Sequence, residues 1–248
     1  MESIHYPQKI FKLDDVEVLY EDNHFIIVNK PPCILVQPDK SGNQNMEELV
    51  KLWLKHNYQK PGNVFLGVPH RLDKPVSGVL VLCKTSKSLK RFNEMLRNRE
   101  VEKVYWAVVE KKPEPLQGTL THWLRKSLLG NYSKAFNQEV PNSLLSELSY
   151  IYLCSSEYYH LVEVYPKTGR HHQIRVQLST IGCPIKGDEK YGAKRQNRNG
   201  SIHLHARKIS FIHPVNKNQI IVEANPDLSD KVWADVFNKC LSLEKNTN

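Results

Sequence analysis

The chain has 248 residues, of which 40% are hydrophobic and 25% are charged, and this balance is typical of a globular protein with a buried core. It contains no apolar run of about 18 residues and no apolar segment near its N-terminus, so we expect neither a membrane span nor a signal peptide. The formal net charge of +9 suits a polyanionic partner such as RNA or DNA, although a basic balance alone does not establish one.

Strands and helices are predicted to alternate over the first hundred residues. The segment 16–30 holds two β-rich runs around a polar turn, which predicts a hairpin. Residues 46–56 carry apolar side chains at helical spacing, and so do residues 86–98. Between these two helices the polar stretch 70–78 leads into the apolar run 79–83, which is typical of a buried strand.

The second half of the chain is less regular. Residues 104–110 and 157–165 are predicted strands, whereas residues 111–150 are polar and predict no definite element. Residues 170–181 predict a helix that ends at Gly182. Two short strands and a last helix complete the prediction, at 203–212, 220–224 and 229–241.

This mixture favours an α+β fold with a mixed, mostly antiparallel central sheet and flanking helices over a doubly wound parallel sheet. We expect one domain over residues 16–243, preceded by an extension (1–15) and followed by a frayed tail (244–248). The five cysteines are odd in number and include no C-x-x-C pair. A disulfide framework or a zinc ribbon is therefore not expected, and a reducing, cytoplasmic location is.

The common signatures of cofactor and metal enzymes are missing from the sequence. It has no dinucleotide fingerprint, P-loop, H-E-x-x-H or G-x-S-x-G motif. Its 11 histidines lack the carboxylate or cysteine spacing of a metal site, so we interpret them as hydrogen-bonded structural residues. We expect no metal and no cofactor.

A His-Arg-Leu-Asp run, residues 70–73, lies just before the predicted buried strand. Arg71 and Asp73 are two residues apart, so in an extended stretch they point to the same side. A carboxylate beside a cation stays ionised and can act as a nucleophile or a base. Taken alone, the spacing fits a surface ion pair better.

Two further segments are basic. The run 167–175 is a loop that enters a predicted helix with Arg170 in its first turn, and free amides and cations at a helix start make a phosphate site. An ordinary solvated helix start has the same pattern. The segment 190–208 contains Lys and Arg but no acid, and it fits either a basic arm on a phosphate backbone or a solvated loop.

Together these segments resemble the RluA-type family of RNA pseudouridine synthases over about residues 16–224, and the individual motifs gain weight from their joint order and spacing. The motifs that carry the resemblance are VLYEDNHFIIVNKPPCILV (18–36), HRLDKPVSGVLVLCKT (70–85), KVYWAVV (103–109), KTGRHHQIRVQLSTIGCPIKGDEKYG (167–192) and HLHARKISFIHP (203–214).

The resemblance implies a basic active-site cleft across the sheet and a set of catalytic residues. Asp73 is implied as the catalytic aspartate, and Tyr105 as the aromatic residue that stacks on the target base. Arg175 is implied as the cation that pairs with Asp73. Arg71 matches a position that helps to displace the target base. Further substrate and RNA contacts are expected from His70, Arg170, His172 and Gln173.

The sequence departs from the family pattern at two places. Gln177 stands where histidine is usual, and residues 74–76 read Lys-Pro-Val where Arg-x-Thr is common. Neither place includes a predicted catalytic residue, so the departures bear on substrate choice. Many relatives carry an N-terminal S4 RNA-binding domain, which residues 1–15 are too few to form.

The implied function is the isomerisation of specific uridines in ribosomal or transfer RNA to pseudouridine, by a monomer with no obligate protein partner and no membrane association. Two alternatives stay open. An ionised carboxylate near C1′ also suits a nucleic-acid glycosidase, and the fold also suits an RNA-binding protein without catalysis. Free uracil as the product would indicate the first, and binding without turnover the second.

Overall fold

The computed structural model describes residues 10–128 and 130–245, with side chains described as far as residue 240. In this part of the chain, ten strands and four α-helices follow one another, with 3₁₀ turns at Leu13–Asp15 and Glu189–Tyr191. In chain order they are β1 (Glu17–Glu21), β2 (Phe25–Lys30), α1 (Met46–Asn57), β3 (Ser77–Cys83), α2 (Ser86–Arg97), β4 (Glu102–Val109), β5 (Gln117–Lys126), β6 (Ser133–Phe136), β7 (Leu144–Ser155), β8 (His160–Pro166), α3 (Gln173–Thr180), β9 (Leu204–Ile212), β10 (Gln219–Glu223) and α4 (Lys231–Lys245).

The described residues divide into two compact units, each assembled from segments that lie far apart in sequence. The first unit contains the residues up to Lys103, together with Arg198–Ser201 and Ala206–Asn225. The second unit contains Val104–Asn197, Ile202–His205 and the residues from Pro226 onward. Both units combine helices with mostly antiparallel strands, which confirms the predicted α+β class.

In the first unit the strand order is β1-β2-β3-β9, and β10 pairs with β9. Strand β2 lies antiparallel to both β1 and β3. Four consecutive apolar residues of β2, Phe25 to Val28, are fully buried, because both faces of this strand are covered. The predicted hairpin over 16–30 and the predicted buried strand over 79–83 are therefore confirmed.

Three phenylalanines form the centre of the first unit's core. Phe25, Phe92 and Phe211 meet edge to face, with ring centroids 5.1 to 5.6 Å apart. Burial of each ring stabilises the fold by about 1.5–3 kcal/mol. Close packing extends to the backbone at Gly78, where a Cβ would lie 2.3 Å from the carbonyl oxygen of Ala206.

In the second unit the strand order is β4-β8-β7-β5-β6, and all four pairs are antiparallel. Residues 111–150, for which no element was predicted, thus supply β5, β6 and part of β7. These strands escaped prediction because few of their residues are buried. Leu124 is the one buried residue of β5, so the sequence of this strand shows little alternation of apolar and polar residues. Leu124 packs against Val176 of α3 and Tyr191.

Helix α4 closes the second unit through an apolar cluster and a covalent bond. Its buried members are Val108, Cys154, Leu161, Trp233 and Val236. Cys154 of β7 is joined to Cys240 of α4 by a disulfide, with 5.8 Å between the Cα atoms. The sequence analysis expected no disulfide framework and did not predict this single bond, because the two cysteines are 86 residues apart and only the packing of α4 on β7 brings them together.

Three predicted boundaries also need correction. Helix α3 begins at Gln173 and not at Arg170, because His172 adopts a left-handed conformation (φ 56°). Strand β8 begins at His160, since residues 156–159 form a turn. Helix α4 continues to Lys245 and so includes the start of the expected frayed tail; residues 246–248 lie outside the described residues.

No helix in the described ranges is long and apolar enough to cross a membrane.

Helices α1 and α2 follow their predicted spans closely. Helix α2 has Thr85 as its N-cap, whose side chain accepts a hydrogen bond from the Ser88 N–H.

Candidate active site

The loop that carries Asp73 leads into β3 and is fixed through its backbone. The Asp73 carbonyl accepts a hydrogen bond from the Val76 N–H at 3.0 Å, which closes a turn. The next carbonyl, that of Lys74, accepts from the Cys33 N–H at 2.8 Å. Asp73 is half-buried and Arg71 is exposed. The backbone of the loop is therefore held in place at Asp73, and Arg71 presents a cation at the surface.

Lys30 is a second support for this loop. Its side chain is fully buried, and its ammonium group donates to the carbonyls of Pro31 and Ile34, both at 2.9 Å, and of Lys74 at 3.3 Å. Burial lowers the pKa of Lys30 to about 7. The neighbouring Cys33 and Asp73 act in the opposite direction and raise this pKa.

The sequence analysis gave Lys30 no role, although a lysine at the end of an apolar strand was visible in the sequence. A buried cation with three carbonyl partners is held by geometry that no spacing rule reveals.

His70 is bound to the sheet. Its Nε2 accepts a hydrogen bond from the Val81 N–H at 3.0 Å. Burial lowers the pKa of His70 to about 3, and the nearby Lys103 contributes in the same direction. The imidazole is therefore neutral and acts as an acceptor for the backbone of β3, so it positions the loop that precedes this strand. Its predicted contact with RNA stays a prediction.

In the second unit, Tyr105 is half-buried on β4, directly opposite Val164 of β8. A residue in the middle of a paired strand has a fixed backbone, so its ring is presented with little conformational freedom. This suits the stacking role that the sequence predicts for Tyr105.

Arg175 lies in the first turn of α3 and is 5% exposed. It forms a bidentate ion pair with Asp188, in which Nε and Oδ2 are 2.6 Å apart and Nη2 and Oδ1 are 2.8 Å apart. The guanidinium group also lies over the ring of Tyr191, 5.1 Å from its centroid. Both geometry and burial make this a strong, specific pair.

Asp188 and Tyr191 were present in the quoted GDEKYG motif but received no role from the sequence. The pairing of Arg175 with Asp73 stays a prediction.

The residues before α3 form a hydrogen-bonded network around Tyr191. Its hydroxyl accepts from the Ser133 N–H and contacts Nδ1 of His172, both at 2.8 Å. His171 stacks on His172 with ring centroids 3.8 Å apart, and its Nδ1 lies 2.8 Å from Oγ of Ser133. His172 is buried, so it fixes the entry into α3.

Gln173 shapes the loop in front of the same helix. Its Oε1 accepts from the Arg170 N–H at 3.0 Å and from the Thr168 hydroxyl at 2.7 Å, while its Nε2 donates to the carbonyl of Glu147 at 3.1 Å. Gln173 is buried, whereas Arg170 is exposed. The predicted RNA-binding residues of this segment thus separate into two internal side chains and one surface cation.

Gln177, the departure from the family pattern, is fully buried between β5 and β7. Its Nε2 donates to the carbonyls of Leu120 at 3.0 Å and Ser146 at 3.3 Å, and lies 3.1 Å from Nδ1 of His122. It therefore supports the strands behind α3.

Asp22, His24 and His213 form a group with potential metal ligands within 4.8 Å of one another. The Asp22 carboxylate already accepts from the backbone N–H groups of His24 and Phe25, both at 2.7 Å, and from the Tyr20 hydroxyl at 2.9 Å. Nδ1 of His213 accepts from two backbone N–H groups. We interpret the group as the support of the β1–β2 turn.

Comparison with known proteins identifies the family. The sequence matches the RNA pseudouridylate synthase family profile over residues 24–180. It is 33% identical over 221 residues to the ribosomal large subunit pseudouridine synthase C of Buchnera aphidicola, covering 85% of this chain and 67% of that protein. It is 31% identical to the tRNA pseudouridine synthase C of Haemophilus ducreyi, covering 91% and 96% of the two chains.

Solved structures agree on the fold. The human RNA pseudouridylate synthase domain containing 4 protein superposes with a TM-score of 0.71 at 24% identity, covering 86% of this chain and 89% of that one. The family profile and the two relatives confirm the resemblance that the motifs indicated. The chain belongs to the family of RNA pseudouridylate synthases, the enzymes that isomerise uridine within RNA to pseudouridine.

Proposed function

We propose that this chain acts on uridines of a ribosomal or a transfer RNA, with Asp73 as the catalytic carboxylate. The observation that supports it most directly is the placement of Asp73. The aspartate lies on a loop whose backbone is hydrogen-bonded to the buried Lys30 and to Cys33, so the backbone that carries Asp73 has a fixed position. The substrate class follows from relatives that are named for ribosomal RNA and for transfer RNA.

The reaction needs little from the protein beyond one carboxylate and a closed pocket. The N1–C1′ bond of uridine breaks, the uracil turns, and C5 bonds to C1′ while the hydrogen on C5 leaves and N1 gains one. Atoms and electrons balance within the nucleotide, so no donor or redox partner takes part. Asp73 either attacks C1′ or removes a ribose proton, and both routes need it ionised.

The target uridine must first leave its stack, which costs a few kcal/mol. We assign the compensating contacts to two residues. The ring of Tyr105 stacks on the extruded base, a contact that contributes roughly 1–3 kcal/mol. The exposed guanidinium of Arg71 occupies the space that the base vacates.

The remaining assignments concern charge and context. Arg175 is proposed as the cation that keeps Asp73 ionised, which the family resemblance implies. A basic cleft, RNA as the partner, a monomeric state without an obligate protein partner and a cytoplasmic location complete the proposal. The formal net charge of +9 is consistent with RNA as the partner.

The test is pseudouridine formation by wild type and Asp73→Asn, measured as tritium release from 5-labelled uridine in total RNA. We expect Asp73→Asn to lose turnover and keep RNA binding. Asp14→Asn, a change at an exposed aspartate, is the matched control and should keep full activity. Turnover by Asp73→Asn would refute the assignment, and free uracil in place of a retained C-glycoside would indicate a glycosidase.

The RNA itself is identified by mapping pseudouridine in total RNA from cells with and without the gene. Sites that disappear only from transfer RNA or only from ribosomal RNA settle the class, and restoration by the wild-type gene but not by the Asp73→Asn gene assigns the loss to this carboxylate.

A further inference from the structure

One face of the β5–β6 hairpin carries a ladder of two aromatic rings and two cations. Trp123 lies directly opposite Phe136, and Arg125 lies directly opposite Lys134. Side chains two residues apart on a strand share a face, and so do directly opposite partners in a sheet. These four side chains, which we call the hairpin face, therefore lie side by side.

The opposite face of the same hairpin is already used by the fold. Leu124 and Ala135 belong to the apolar cluster with Val176 of α3 and Tyr191. The hairpin face points away from that cluster. Lys134 is exposed, and the other three side chains are half-buried, so all four reach solvent.

The charges on the hairpin face are not explained by folding. Like charges directly opposite each other in a sheet destabilise the pair. The segment 117–136 contains no Asp or Glu, and in the described part of the chain neither Arg125 nor Lys134 forms an ion pair with a carboxylate. The guanidinium of Arg125 lies over the ring of Phe136 instead, 5.0 Å from its centroid.

The surface continues towards the loop before α3. Leu145 of β7 lies directly opposite Trp123 and is 44% exposed. Its carbonyl accepts a hydrogen bond from Nε of Arg170 at 3.3 Å, and Arg170 is exposed. The acid on the same face of β7, Glu147, is paired with Lys167. The extended surface thus keeps a net positive charge.

We propose that the hairpin face binds a single-stranded segment of the substrate RNA outside the target uridine. Bases stack on Trp123 and Phe136, and phosphates neutralise Arg125 and Lys134. Flat rings interleaved with cations that have no carboxylate partner fit a strand that presents unstacked bases and phosphates together, because each base offers a ring face and each phosphate a negative charge. The inference rests on the proposed action on RNA and adds a second contact region to it.

The test compares Arg125→Ala/Lys134→Ala with wild type, using a short adenosine homopolymer as the probe. This probe contains no uridine, so its binding is independent of turnover. We expect about tenfold weaker binding, and a slope of log Kd against log salt that is smaller by about 1.4, because two phosphate contacts are lost. The thermal unfolding temperature should stay the same or rise, because a repulsive pair has been removed.

The matched control is Lys87→Ala/Lys90→Ala, which removes the same charge from exposed positions of α2. Equal weakening in both double variants would mean a general effect of charge and would overturn the proposal. In a second measurement, Trp123→Phe should reduce the quenching of tryptophan emission by the probe while binding is largely retained. Unchanged quenching would overturn the stacking role.

Turnover separates this proposal from the proposed function. With a uridine substrate, the hairpin variant should raise KM and leave the rate at saturating RNA unchanged. Asp73→Asn should show the reverse, with lost turnover and retained binding. A wild-type protein that binds the probe through this face but forms no pseudouridine would contradict the proposed function alone.

Discussion

Replacement of Lys30 by methionine tests how the loop of Asp73 is held. The structure fixes the expected size of the effect. Lys30 is fully buried, and its pKa falls from 10.5 to about 7. A shift of that size corresponds to about 4–5 kcal/mol of difference between the protonated and neutral forms in the folded state.

The sign of the effect follows from proton binding in the two states. Between pH 7 and pH 10.5 an unfolded lysine is protonated while the folded Lys30 is increasingly neutral. The unfolded state then binds more protons, so the contribution of this residue to stability rises with pH across that window. Below about pH 7 both states are protonated, and the full cost of burying the charge is present.

Lys30→Met removes this titration. Methionine has a similar length and no charge, so the desolvation cost disappears, but the carbonyls of Pro31, Ile34 and Lys74 lose their donor, at about 1–3 kcal/mol each when they stay unpaired. We expect a modest net change in stability at pH 7 and a clear loss of activity, because the carbonyl next to Asp73 is released.

The assay is chemical unfolding of wild type and variant between pH 6 and pH 10. The difference between the two proteins isolates Lys30 from other groups that titrate in this range. We expect the free energy of unfolding of the wild type, relative to that of the variant, to increase as pH rises above 7. Lys87→Met, at an exposed position, is the control. A difference that does not change with pH would refute the reasoning.

Three further predictions concern the second unit. Asp188→Ala should lower the free energy of unfolding by about 3–5 kcal/mol, measured by chemical unfolding, because it leaves the buried guanidinium of Arg175 without its bidentate partner. Tyr105→Phe should retain most turnover, whereas Tyr105→Ala should lose the stacking contact of roughly 1–3 kcal/mol, measured as a decrease in kcat/KM; equal losses in both variants would assign a role to the hydroxyl. Reduction of the Cys154–Cys240 disulfide should lower the free energy of unfolding by about 4–5 kcal/mol, because this bond closes a long loop of chain. The reductant should lower the thermal unfolding temperature of the wild type and leave that of Cys240→Ser unchanged. A response of Cys240→Ser to the reductant would contradict this prediction.

The helices and the first-unit strands were predictable because their signals are local. Helix α2 has apolar residues at helical spacing and a threonine cap, and β2 and β3 are uninterrupted apolar runs. Strands β5 and β6 were not predictable, because aromatic and basic side chains share one face of the hairpin and the alternation of apolar and polar residues is weak. What holds them is pairing with β7, which is a tertiary property.

In the candidate site, too, the sequence indicates which residues matter but not which of them are in contact. Motifs predict Asp73, Tyr105 and Arg175 as catalytic residues from their place in the sequence. They did not show that Asp188 lies within reach of Arg175, because 13 residues separate the two and a 3₁₀ turn at Glu189–Tyr191 returns the chain to α3. The left-handed residue His172, which moves the helix start past Arg170, is likewise not visible in the spacing.

The burial of the motif residues explains why a motif can identify this family without revealing its geometry. His172, Gln173 and Arg175 are buried, and the side chain of each is hydrogen-bonded to neighbouring side chains or backbone groups of the second unit. The folding of one loop and one helix start is therefore sufficient to require these residue types. Arg170, which precedes them, is exposed, and its guanidinium group donates one hydrogen bond to the fold, from Nε to the carbonyl of Leu145. A substitution at a buried position can therefore reduce activity by disturbing the loop as well as by removing a catalytic group. A substitution of the exposed Arg170 separates an effect on RNA binding from an effect on folding.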